Sequence, residues 1–358
     1  MAKILLKNGK IFDGVRFLSG SVMTEDEKII AIGDFDTEID AQTVVIDLGG
    51  RLVCPGLVDI HAHLLEMSGL PFGFPALLET VPFGVTAAVE ACAVLPPEKS
   101  ADLPIKTAAL VPLAMREGEI DFAAMEERLS AYGDRALGVK IYFDKGQPFV
   151  PNLSHIEKAS AFAKKMGLLT MVHCTDSPAP MKEIVRALSE GDILTHAYHG
   201  TPHTVADEDY FAYRLAKEKG VTIDAGMAGG VHTDFKVLKE ALAKGYLPDV
   251  ISTDITQFSA YMRGGIYGMT MCMSIYRGLG MDETAVLCAV TSSAARAVKR
   301  EGQWGTLSVG GAADLAVLSY GDVKIDITDR AGNRVTLDEG YSCHMTVVNG
   351  KILYRNGI

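Results

Sequence analysis

Eight short apolar runs, at 56–60, 84–89, 106–111, 137–142, 168–173, 192–196, 221–225 and 249–254, constrain this chain more than any other feature. Runs of that length bounded by turn residues read as buried strands. Amphipathic helical patterns lie among and after them, the clearest over Glu119–Tyr132, Leu153–Met166, Asp234–Lys244 and Glu283–Lys299. Strands alternating with helices predict a parallel α/β fold. A doubly wound open sheet is the rival topology, but it calls for a glycine-rich phosphate turn after a first strand, and none is present.

The ends of these runs carry the chemistry. The first leads into His61-Ala62-His63, and residues two apart on a strand share a face, so the two imidazoles leave it side by side. Such a pair can hold a divalent metal ion; two packed histidines would give the same pattern. Downstream, Lys140 sits inside Gly138–Tyr142, His173 ends Leu168–His173, His196 ends Asp192–His196 and Asp254 ends Asp249–Asp254. Functional groups of an eight-stranded β/α barrel project from the C-terminal ends of several strands. An open sheet would not gather all of them around one point.

The ordered set His61, His63, Lys140, His173, His196, Asp254 resembles the binuclear branch of the amidohydrolase superfamily. The flanks Cys54–Asp59 and Gly305–Leu318 fit the same resemblance, which covers nearly the whole chain. It implies a (β/α)8 TIM-type barrel over 56–305, with a small β-sandwich built from both termini, 1–55 and 306–358. The residues agree: Lys3–Lys7 precedes Asn8-Gly9, and His344–Val348 precedes Asn349-Gly350. Asn-Gly between short β-rich runs is a hairpin signal, and neither terminus has enough strand to close a core alone.

The resemblance also implies a site. His61, His63 and Asp254 would hold one divalent ion, His173 and His196 a second, and Lys140 would bridge them. An ammonium between two cations would be repelled, so the resemblance implies a CO2-derived carbamate, N6-carboxylysine, at Lys140. Zn²⁺ suits such ligands best, with Mn²⁺, Fe²⁺ or Co²⁺ as alternatives. Two ions sharing a water would generate a bridging hydroxide, and Asp254 would take its proton and deliver it to the leaving group. The implied reaction is hydrolysis of an amide or ester of a small carboxylate-bearing molecule. Gly138–Ile141, Val172–Cys174, Thr195–Gly200 and Ser252–Ile255 are most similar to the dihydroorotase-like deacetylase and carboxylesterase group. A cyclic amidohydrolase of dihydroorotase or hydantoinase type is the alternative, and a nucleobase deaminase a more distant one. Leu65 stands where dihydroorotases usually carry an arginine, and Lys140 is absent from the mononuclear deaminases.

Pocket candidates follow from position. His199, three past His196, and Tyr142, two past Lys140, could meet substrate; Gly229 and Gly230 would let backbone amides approach it. Arg116 and Arg263 are the cations considered for a substrate carboxylate. His155, His203, His232 and His344 read as non-ligands, His232 least clearly because it follows the glycine loop. A net charge of -11 without a basic stripe argues against nucleic acid as a partner. No apolar stretch is long enough to span a bilayer. Six scattered cysteines without a CxxC pair read as thiols in a reducing compartment, and Met1–Lys7 lacks the features of a signal peptide. A cytoplasmic enzyme acting on a small molecule is expected, with homo-oligomerisation left open.

Overall fold

The structure, a computed structural model, describes residues 3–35, 39–64, 73, 75–94, 103–147, 149–262 and 266–358. Seven strands form one all-parallel sheet in chain order: Leu57–Ala62, Val85–Glu90, Lys106–Pro112, Ala136–Tyr142, Leu169–His173, Ile193–Thr195 and Thr222–Asp224. The segment from Val250 to Ile255 joins the two edges, Val250 bridging to Asp224 and Ile255 to Ala62. Asp254 N donates to His61 O (2.7 Å), His63 N to Ile255 O (3.0 Å), and Ala225 N to Val250 O (3.0 Å). These bonds close the sheet on itself.

The eighth strand expected at 249–254 is therefore present as an extended segment and not as a regular ladder. Its departure has a physical cause. The Thr253 amide donates to the Asp59 carboxylate (3.1 Å) rather than to a neighbouring strand, and Asp254 has φ +47°, outside the β region.

Helices cross between the strands and start at side-chain caps. Asp121 accepts from Ala124 N, Asp234 from Lys236 N and Val237 N, and Asp282 from Thr284 N and Ala285 N. Asn152 and His155 form a reciprocal capping box, which explains why His155 stands apart from the site. The helix expected over Glu283–Lys299 is two, Glu283–Ala289 and Ser292–Ala297. Between them the Thr291 hydroxyl donates to Leu287 O (2.5 Å), a back-bond that bends helices.

Both termini meet in one eight-stranded sheet. Leu52–Pro55 pairs antiparallel with Leu315–Leu318, tying the N-terminal strands to the hairpin of Leu315–Thr328 and Arg334–Val348. Its core draws Ile4, Leu6, Val22 and Val53 from one end of the chain and Leu315, Val317, Met345 and Val347 from the other. The expected partnership of the two termini is a continuous hydrogen-bonded network, in which Lys3–Phe12 pairs with Phe17–Glu25, Thr43–Asp47 and Leu52–Pro55. Among the described residues, no helix is long and apolar enough to cross a membrane, and all six cysteines are free thiols.

Candidate metal centre

The Asp254 carboxylate is the hub of a buried cluster at the barrel's C-terminal end. Its Oδ1 lies 3.2 Å from His61 Nε2 and 3.1 Å from His63 Nε2. Its Oδ2 lies 3.8 Å from His196 Nε2 and 3.7 Å from His232 Nε2. His173 packs against both of these imidazoles, with ring centroids 4.5 Å from His196 and 4.9 Å from His232. Burial alone would raise the Asp254 pKa, but the His61 and His63 rings hold it well below the usual carboxylate range. His196 and Asp254 both have φ in the left-handed region, +65° and +47°. Non-glycine residues persist there only where their surroundings over-determine them.

The second ring nitrogens are committed elsewhere, and this fixes which nitrogens face the hub. His61 Nδ1 donates to Thr195 Oγ1 (3.0 Å), whose hydroxyl donates to Asp224 Oδ2 (2.7 Å). His196 Nδ1 donates to Gly226 O (2.6 Å). His63 Nδ1 lies 3.3 Å from Glu90 Oε1. Each Nε2 is thus turned inward, the orientation by which a neighbouring acceptor presents an imidazole to a metal ion. Gly226 is obligatory for this: its φ is +50°, and a Cβ would come within 2.4 Å of both His196 Nδ1 and Thr195 Oγ1.

Burial, reinforced by like-charged neighbours, keeps most of these rings neutral. It lowers His61 to about 4 and His232 to about 3, and it pushes His196 well below its ordinary value. His63 differs. Burial opposes its charge, but Asp254 and Glu90 on either side outweigh that and lift it to about 9. Neutral imidazoles beside a carboxylate are a ready donor set for divalent ions. Two triads have ligand atoms close enough to share an ion: His61, His63, Asp254 and His173, His196, His232.

Lys140 is fully buried. Its Nζ meets His61 Nε2 (2.9 Å) and Met171 Sδ (3.3 Å) and makes no ion pair among the described residues. Burial lowers its pKa to about 8, so the amine loses its proton far more readily than an exposed lysine does.

The remaining expectations divide. Tyr142 packs on His173 at 5.7 Å between centroids, with its hydroxyl beside the Cys92 thiol. His199 lines a pocket beside the centre. The Gly230 amide is used within its own turn, donating to Met227 O, while its carbonyl accepts from Arg330 N; Gly229 lies in the same buried turn with φ +64°. Arg116 lies exposed on a small ribbon with Glu119–Ile120. Leu65 and Arg263 fall outside the described residues.

Three residues of the cluster were passed over in the sequence. His232, expected to be a non-ligand, stands within the imidazole cluster, the turn before it being bonded to the closing segment by Met227 N to Ser252 O (3.2 Å) and Ala228 N to Thr253 O (2.8 Å). Glu90 and Asp224 belong to the same pattern, each terminating a strand as His173 does. The strand-end rule, carried one residue past 89, would have found Glu90.

The sequence model of the Amidohydrolase family matches residues 102–354. The chain belongs to the amidohydrolase family. It is 26% identical over 351 residues to a deacetylase of Agrobacterium fabrum, covering 92% of this chain and 85% of that protein. It is 25% identical over 437 residues to a dihydroorotase of Anaeromyxobacter dehalogenans, covering 99% and 98%. Its fold is that of a crystal structure described as an adenine deaminase, with TM-score 0.86, 22% identity and coverage of 99% and 100%. This amidohydrolase is accordingly a hydrolytic enzyme.

Proposed function

We propose that this amidohydrolase cleaves an amide or ester bond of a small carboxylate-bearing molecule, with a pair of divalent metal ions at the Asp254 cluster. The observation that carries the reading is Lys140: a fully buried amine, without an ion pair among the described residues, in contact with an imidazole of the cluster. A buried ammonium so placed is costly, whereas a neutral amine can add CO2. In that step nitrogen bonds to carbon and releases a proton, leaving an anionic carbamate able to bridge two cations. His61, His63 and Asp254 would hold one ion, His173 and His196 the other, with His232 within reach as a further nitrogen.

Bound ions, most suitably Zn²⁺, would supply Lewis acidity and lower the pKa of water. Asp254 would accept a proton from the attacking water and return it to the leaving group. A carboxylate held ionised by flanking imidazoles can act as base first and acid second. Thr195, Glu90 and the Gly226 carbonyl keep the rings oriented throughout. The likeness to deacetylases supports acyclic substrates, while the likeness to dihydroorotases supports cyclic amides as the alternative.

The test is a screen of N-acyl amino acids, O-acyl hydroxy acids and cyclic amides with metal-loaded enzyme. Hydrolysis of an acyclic amide or ester is expected. Turnover confined to ring opening would select the cyclic reading, and ammonia released from a nucleobase would overturn the proposal.

A further inference from the structure

Arg116 lies exposed on its small ribbon, whereas Arg330 lines a pocket beside the cluster. We propose that Arg330, at the tip of the long terminal hairpin, binds that carboxylate, and that Asp176 occupies its guanidinium until substrate arrives. The inference rests on the reading of the site as a hydrolase of carboxylate-bearing molecules.

Beside the metal centre lies a pocket of about 200 Å³ whose lining includes Thr175, Asp176, His199, Thr233 and Arg330. Its wall is made from the loops that carry the imidazoles: Thr175 follows His173 by two residues, Thr233 follows His232 by one, and His199 follows His196 by three. Thr175, His199 and Thr233 are only 3%, 2% and 2% exposed. Among the described residues, neither threonine hydroxyl finds a hydrogen-bond partner; nor does either His199 nitrogen meet one in good geometry, although the Gly200 backbone lies beside the ring. Buried polar atoms are normally satisfied. Two threonine hydroxyls without partners among the described residues, and a histidine ring whose nitrogens are poorly satisfied, therefore specify a polar occupant.

Arg330 supplies the charge. Its Nη1 donates to Asp176 Oδ2 at 2.5 Å, and among the described residues that single bond leaves the rest of the guanidinium fork available. The arginine side chain is 57% exposed, so the pair is reachable from solvent. Carboxylates suit this fork because they accept two parallel N–H bonds. Asp234, also on the pocket wall, is engaged as a helix cap and by Asn333 Nδ2. A phosphate dianion would face both Asp176 and Asp234, whereas a monoanion replaces Asp176 like for like.

The hairpin tip is held in place for the task. Arg330 N donates to Gly230 O (3.2 Å), and Asp329 accepts from Phe235 N (2.7 Å) and Asn333 Nδ2 (2.9 Å). The terminal sheet thus contributes a specificity residue to a pocket otherwise built by the barrel.

Calorimetric titration of N-acetylalanine of each hand, and of its primary amide, onto metal-loaded Asp254→Asn protein tests this with turnover suppressed. The carboxylate should bind roughly tenfold or more tighter than the amide, as expected of charged hydrogen bonds. Arg330→Met should abolish that preference. Asp176→Asn, a change that tolerates the left-handed φ of +54° at this position, should instead tighten carboxylate binding several-fold. Opposite signs are the signature of competition. No preference in the parent, a preference retained in Arg330→Met, or weakening by both changes would overturn the assignment. If the preference behaves as expected but the parent enzyme hydrolyses no amide or ester, the reaction class fails and the Arg330 assignment stands.

Discussion

At the scale of single residues, Asp254 and Lys140 bear most of the chemistry and fail in different ways. Asp254→Asn keeps the shape and one coordinating oxygen but removes the base. General acid–base groups contribute roughly 10²–10⁴ in rate, so kcat should fall by at least about a hundredfold while metal content falls far less. Amides should suffer more than activated phenyl esters, because an amide nitrogen must be protonated to leave. Near-normal amide turnover in Asp254→Asn would transfer the proton to another group, with His232, 3.7 Å from Asp254, first in line. Lys140→Ala should lose metal and activity together, with partial recovery on adding a short carboxylic acid. Elemental analysis showing both ions still tightly held in Lys140→Ala would exclude the carbamate bridge.

At the scale of elements, the site depends on what stands behind each ligand. Thr195 takes a hydrogen bond from His61 and passes one to Asp224, which also accepts from Ser252 Oγ (2.9 Å). Thr195→Val keeps the volume and breaks this relay, so metal affinity should drop roughly 10–100-fold, as is usual for such supports. Competition with a fluorescent chelator measures it; unchanged affinity would mean that packing alone orients His61. The ligand strands were legible because an apolar run that ends in His, Lys or Asp is conspicuous in sequence. Leu169–His173 and Ala136–Tyr142 lie within a residue of their expected positions. His232 was not legible, since it follows a glycine turn whose path over the barrel is set by tertiary contacts. The ladder of the eighth strand was lost to Asp59, whose carboxylate takes the Thr253 amide from 194 residues away. Local pattern holds no trace of that substitution. Arg330 was hidden for a similar reason: Asp329–Asn333 reads as a turn, and only the docking of the hairpin brings it to the pocket.

At the scale of the whole molecule, the centre spans the seam where the closing segment meets the first strand. Its residues come from the first strand, from three middle strands, from the loop that carries His232 and from the closing segment around Asp254, with Glu90 and Asp224 behind them on the second and seventh strands. Among the described residues that segment makes five backbone hydrogen bonds on the seventh-strand side, through Ile223, Ala225, Met227 and Ala228, but two on the first-strand side, Asp254 N to His61 O and His63 N to Ile255 O. Bound ions would therefore tie the seam where backbone pairing is thinnest. At free metal a hundred times Kd, linkage contributes about 2.7 kcal/mol per site, so the loaded protein should melt several degrees above protein stripped with a chelator. The increment should also be local. The Asp254 amide, bonded to His61 O at 2.7 Å, and the His63 amide, bonded to Ile255 O at 3.0 Å, cross this seam. Hydrogen exchange at both should slow on metal loading more than at amides within the Leu169–His173 strand, which is already paired on both sides. Uniform slowing across the barrel would mean that the ions stabilise the fold globally; protection confined to the seam would show that metal binding completes the closure that the backbone leaves sparse.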